Sequence, residues 1–310
     1  MEAVTLTAVV SALSEACHSA CPVLKKQVMI ALDRFQNFDN YVSALIRIID
    51  INDSGSSVSQ DCRHLAVVLL KNFVGKSGCS IANDLPNKTD NTTRKLLPSE
   101  RIELKAFLVR YLNEPSCKIA LQLSLIAAKL ARQDGDQWLQ VWPELIPSLV
   151  NAIQSHNPTT NNSINTTNND NNVNSISFIR CMRGLSTLSE ILKELSSKAS
   201  TTCTSSHFGK TYAILSTQLY PVISKLWCEN MKKLSLYLNK LNTQAMMNTN
   251  MSFFGTSITT ITQAELESLI IQLILISRIL RIILEYGLDT IITTYTTFFK
   301  SFWRCYLGKN

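Results

Sequence analysis

Apolar residues return at helical spacing in one segment of this chain after another, and that repetition restricts it to architectures in which helices stack. Leu24, Val28, Leu32 and Phe35 stand at i, i+4, i+8 and i+11. Pro22 precedes them, where a missing N–H is harmless and the fixed φ suits a first helical turn. Tyr41, Leu45, Ile48 and Ile49 form the next stripe. Leu65, Val68, Leu69 and Phe73 form another, opened near Asp61 and expected to stop at Gly75. After Pro98, Ser99 is placed to cap a helix that carries Glu100 and Glu103 in its first turn and buries Leu104, Leu108 and Tyr111. Asn113-Glu114-Pro115 then turns the chain, and Ile119, Leu123, Ile126, Ala127 and Leu130 line the following helix.

Further pairs are expected at 143–154 with 175–196 and at 207–230 with 263–287, with a last helix near 288–307, giving five or six pairs in all. Trp142-Pro143-Glu144 reads as a helix start, and Pro147 is expected to forfeit one intrahelical bond and bend that helix. Only 9 Gly and 8 Pro in 310 residues leave little punctuation for the many short strands of an all-β domain. A helix pair alone would leave an apolar face in water, whereas stacked neighbours of roughly 40 to 47 residues merge those faces into one core. The expected class is therefore all-α, a HEAT/armadillo-type α-solenoid, and periodicity by itself does not separate HEAT from armadillo. Three insertions interrupt the series: 76–97, an Asn/Thr-rich stretch at 156–174 expected to be a disordered loop, and about 237–262. They leave repeats over 1–155 and again over 175–310.

The rest of the composition narrows the function. Nine scattered cysteines without C-x-x-C spacing support neither a disulfide framework nor a zinc site, and read as reduced core thiols. The net charge of +7 is spread along the chain without interleaved aromatics, so it fits an acidic protein partner as well as it fits nucleic acid. Ser268 to Leu284 is the most lipid-like segment, but Arg278 and Arg281 would each cost about 2.5 to 3.5 kcal/mol at mid-membrane, which favours a buried helix over a membrane span. The histidines are isolated, and Gly75-Lys76-Ser77 lacks the upstream glycine and strand of a phosphate-binding loop. No catalytic residue, metal ligand or cofactor is assigned, and the chain is expected to bind partners without catalysing a reaction.

Three segments carry a resemblance. Arg63 to Val74 is similar to the second-repeat helix of importin-beta (karyopherin) superfamily nuclear transport receptors, with its R-x-x-A-x-x-x-L-K-N pattern. Asn113-Glu114-Pro115 with Ile119 to Arg132 resembles the third-repeat segment, and Trp142-Pro143-Glu144-Leu145-Ile146-Pro147-Ser148-Leu149 resembles the W-P-E-L signature. Leu188 to Leu195, Tyr220 to Trp227 and Leu273 to Leu284 resemble later helices of the importin-eleven branch. The resemblance implies a right-handed superhelix of antiparallel helix pairs and a longer protein of which this is an amino-terminal portion. It also implies a receptor that shuttles between cytoplasm and nucleus, binding Ran in its GTP form, protein cargo and FG-repeat nucleoporins. Arg63, Lys71 and Asn72 are the positions it assigns to Ran, against the plainer reading that Lys71 and Asn72 solvate a helix end.

Two features depart from the pattern. The charge of +7 contrasts with a usually acidic family, and Gly75 to Cys79 stands where an aromatic-rich R-x-W stretch is common. A HEAT scaffold without Ran dependence, or a receptor associated with RNA, remain the alternative readings.

Overall fold

In the computed structural model, which describes residues 6–51, 58–77, 94–155, 170–199, 205–248, 263, 265–283 and 285, each apolar stripe within those bounds becomes a helix, and no described residue lies in a strand. In chain order the helices are α1 (Leu6–His18), α2 (Pro22–Phe35), α3 (Tyr41–Asp50), α4 (Gln60–Ser77), α5 (Pro98–Arg110), α6 (Cys117–Asp134), α7 (Trp138–Val141), α8 (Leu145–Gln154), α9 (Asp170–Ala199) and α10 (Ser205–Asn248). A further helix covers 265–283. The chain divides into two compact units, 1–195 and 196–310.

In the first unit α1 packs on α2, α3 and α4, α3 on α4 and α5, and α4 on α6. The row α2, α4, α6, α9 is joined by polar contacts: Lys76 to Asp33 at 3.6 Å, Lys71 to Gln122 at 2.8 Å, and Ser124 to Thr187 at 2.9 Å. Helices enclosed in such a stack bury more than one face. α3 buries Tyr41, Val42, Ala44, Leu45, Ile46, Ile48 and Ile49 within ten residues. α4 buries Cys62, Ala66, Val67, Leu70 and Val74 besides Leu69 and Phe73, while Leu65 and Val68 are half-buried. The single stripe expected on α4 is therefore corrected to a helix covered from both neighbours and from beneath. Tyr41 meets Phe73 edge-on at 5.8 Å, an arrangement that suits the ring quadrupoles.

In the second unit α10 pairs with the helix over 265–283. Leu219, Ile223 and Leu226 are buried on one side, and Leu273, Ile276, Ile279 and Ile283 on the other. Between them Asn230 Nδ2 donates to Gln272 Oε1 at 2.9 Å, a buried bond that fixes the register of the pair.

Several local expectations are corrected. Gly75 does not end α4, which runs on to Ser77. The Lys129 Nζ atom passes over it, within 2.5 Å of where a methyl would stand. Ser99 is not a cap. α5 starts at Pro98, and the Glu100 carboxylate accepts the Leu97 N–H at 3.0 Å. Pro143 and Glu144 form a turn rather than a first helical turn, and α8 begins at Leu145. Pro147 then falls in the first turn, where no intrahelical bond is lost and no bend results. The insertion bounds shrink as well, because 76–77 belong to α4, 170–174 to α9 and 237–248 to α10, and 94–97 form a non-helical lead into α5. The helix expected near 288–307 lies outside the described residues, as do 78–93, 156–169 and 249–262. The one described glycine with positive φ, Gly135 at 62°, ends α6 in a conformation L side chains rarely adopt.

Candidate functional site

Helix geometry decides which of Arg63, Lys71 and Asn72 can share a surface. Nine residues at 3.6 per turn carry the chain about 180° around the helix, so Arg63 and Asn72 stand on opposite sides of α4. Asn72 is exposed and Lys71 half-buried beside it, whereas Arg63 is buried.

Arg63 works inside the stack. Its Nη2 pairs with Glu114 Oε2 at 2.8 Å, with side-chain exposures of 7% and 1%, and its Nε donates to the Ile49 carbonyl at 3.0 Å. Tyr111 Oη donates to the same carbonyl at 2.7 Å. The other Glu114 oxygen accepts the Ser116 N–H at 2.9 Å, which places a carboxylate at the positive end of α6. From α9, Arg183 reaches the Glu114 carbonyl at 3.0 Å and the Pro115 carbonyl at 3.1 Å. The Arg63 and Asn113-Glu114-Pro115 motifs are thus two halves of one buried connector that ties α3, α4, α6 and α9 together. Burial, with the Asp50 carboxylate nearby, holds the Tyr111 phenol neutral well above the usual range.

Two other sequence features prove structural. Trp142 is buried with Lys105 Nζ over its ring at 5.7 Å, and Lys105 and Arg101 both pair with Asp134 at 2.7 Å. Arg94 grips Glu100 through two bonds of 2.9 and 2.7 Å and lies over Phe73 at 5.4 Å. The two pairs to Asp134 are not legible from sequence spacing, because stacking of α5 on α6 brings the partners together, whereas Arg94 and Glu100 meet within one short segment. For Glu114 a signal did exist: a carboxylate between a turn asparagine and a proline, just ahead of a helix, is placed to satisfy amides.

What remains open is the outward face of α4 and α6. Lys71 Nζ donates to Gln122 Oε1 at 2.8 Å, and Lys129 Nζ crosses over Gly75 toward the Lys71 carbonyl at 3.5 Å. Gln133 Nε2 caps the Val74 carbonyl at 2.6 Å. Burial, then the neighbouring Lys71 charge, lower the Lys129 pKa below the ordinary lysine value of 10.5, while Glu194 opposes that shift. Two ammonium groups held beside exposed Asn72 and Lys76 present hydrogen-bond donors to an approaching surface rich in carboxylates or carbonyls. At the amino-terminal ends of the same helices an open crevice of about 460 Å³ is lined by Gln60, Asp61, His64, Ser116, Cys117 and Lys118. Among the described residues no group of three or more His, Cys, Asp or Glu side chains could hold a metal ion, and no helix is long and apolar enough to cross a membrane.

Comparison with known proteins addresses the same segment. The model of the importin-beta N-terminal domain family matches residues 29–114, from the middle of α2 to the Glu114 connector. Over α3, α4 and α5 the chain is therefore similar to the amino-terminal domain of the importin-beta superfamily. The described residues are all-α without strands, and the helix stack over the matched segment is of the HEAT type. It is similar to human Importin-11, 27% identical over 148 residues, which is 48% of this chain and 13% of that protein. Mouse Importin-11 is 27% identical over 146 residues, 47% of this chain and 13% of the relative. The matched region is therefore a small part of these relatives' length, and about half of this chain.

Proposed function

We propose that this chain is a member of the importin-beta superfamily and part of a nuclear transport receptor, and that the outward face of α4 and α6 receives Ran in its GTP form. The observation that supports this most directly is that the family match over 29–114 contains Lys71 and Asn72 of α4, beside which α6, just past the match, sets Lys129 to complete a donor-rich face. Arg63 keeps a part in the reading as a positioning residue, since its bond to Glu114 sets how α6 lies beside α4. The receptor carries protein cargo, meets FG-repeat nucleoporins during passage, shuttles between cytoplasm and nucleus, and performs no catalysis.

The test is binding of the full-length protein to Ran loaded with GTP or GDP. Preference for the GTP state, weakened at least tenfold by the triple variant K71A/N72A/K129A, or by about 1.4 kcal/mol, is the expected result. Equal binding of both nucleotide states, or none, would remove Ran from the reading and leave the HEAT scaffold in its place.

A further inference from the structure

The segment expected to be an insertion at about 237–262 begins as the continuation of a long helix. α10 runs 44 residues to Asn248, and beyond Asn230 none of its described side chains is buried. Yet that stretch is rich in leucine: Leu236 is 62% exposed, Leu238 49% and Leu241 42%. Large apolar side chains left in water in one place mark an interaction site more often than isolated ones do.

Their arrangement says what kind. Leu236 and Leu238 differ by two residues and so point about 160° apart, while Leu238 and Leu241 lie on one side together. Lys232, Leu236 and Lys240 follow one another at i, i+4 and i+8 along the opposite side. No acidic residue occurs between Asn230 and Asn248, whereas Lys232, Lys233 and Lys240 all do. A flat lipid surface covers a single apolar face and keeps cations at its margins, and here a cationic row runs through one of the two apolar faces. A second copy of the same helix would set lysine against lysine. A groove that embraces the sides of α10 left open by the helix over 265–283, apolar within and acidic at its rim, satisfies both leucine faces and the ammonium groups between them.

We propose that the carboxy-terminal part of α10, from Met231 to about Asn248, is a docking helix for an acidic protein whose groove embraces the exposed sides that bear Leu236, Leu238 and Leu241. The site lies in the second compact unit and does not depend on the Ran reading.

The test titrates the whole chain with calcium-loaded calmodulin, used as an acidic protein that engulfs apolar basic helices. The expected result is a one-to-one complex with a dissociation constant on the order of 1 to 10 μM. Charge reversal at K232E/K233E/K240E, which alters exposed or half-exposed positions, is expected to weaken it at least tenfold with unchanged helical circular dichroism. L236D/L238D is expected to do the same. No complex, or a complex indifferent to both variants, would overturn the proposal. Stronger binding to phosphatidylserine-containing vesicles, abolished by the same variants, would overturn it in favour of a lipid surface.

Discussion

Replacing Arg63 by Ala removes one half of the buried connector between α4 and α6. Glu114, 1% exposed, would keep the Ser116 N–H as its donor and lose its counter-charge, and a buried pair broken in this way costs about 3 to 5 kcal/mol. Glu114→Ala strands the guanidinium in the same manner. Removing both charges leaves no unpaired ion, and the Ile49 carbonyl still accepts from Tyr111, so the double variant loses hydrogen bonds of about 1 kcal/mol each and some packing. The two single losses therefore exceed the double loss, with a coupling on the order of 2 to 3 kcal/mol. For a domain of this size each kcal/mol moves the melting midpoint by about 2 to 4 °C, so each single variant should melt roughly 6 to 20 °C lower. Thermal and urea unfolding followed by circular dichroism would measure the cycle. Additive losses, or an Arg63→Ala protein within about 1 kcal/mol of the parent, would refute the connector.

Gly184 sits where α9 meets α8, and an added Cβ would lie 3.1 Å from Ile153, 3.2 Å from Ala152 and 3.3 Å from the Leu149 carbonyl; Gly184→Ala should cost about 1 to 3 kcal/mol in urea unfolding. Gly75→Ala meets only the tip of the flexible Lys129 side chain, so it should be neutral or stabilise by up to about 1 kcal/mol, with Lys129 displaced. The raised pKa of Tyr111 makes an alkaline prediction: the unfolded phenol ionises first, so its contribution is full below pH 10 and falls as pH rises beyond it. Tyr111→Phe should flatten that decline while costing about 1 kcal/mol at neutral pH, as read from unfolding midpoints across pH.

The fold was legible in the sequence because burial repeats with the helical period. Ile119, Leu123, Ile126, Ala127 and Leu130 are all buried as expected, and Pro22 opens α2. On α4 the stripe is incomplete because a helix packed from several directions carries no single one, and Ala66, Val67 and Leu70, which helical spacing from Leu65 does not select, are buried as well. Helix ends were the weaker part. A glycine or serine suggests a boundary, while the ends are satisfied by the long carboxylates of Glu100 and Glu114 from close by in the chain and by Gln133 from a neighbouring helix. At the candidate site, the spacing of Arg63 and Asn72 already implied opposite sides of one helix; that Lys71 would meet Lys129 required knowing which helices are neighbours.

Glu114 has one further consequence, for the mechanics of the chain. A stack held by apolar contacts alone can slide by small amounts at every interface, as oiled plates do. Here a charged rivet passes through neighbouring repeats, and sliding them would draw its ions apart inside a medium that cannot solvate them. Within this unit, α3, α4, α6 and α9 are thereby held against slippage at the joints the rivet crosses.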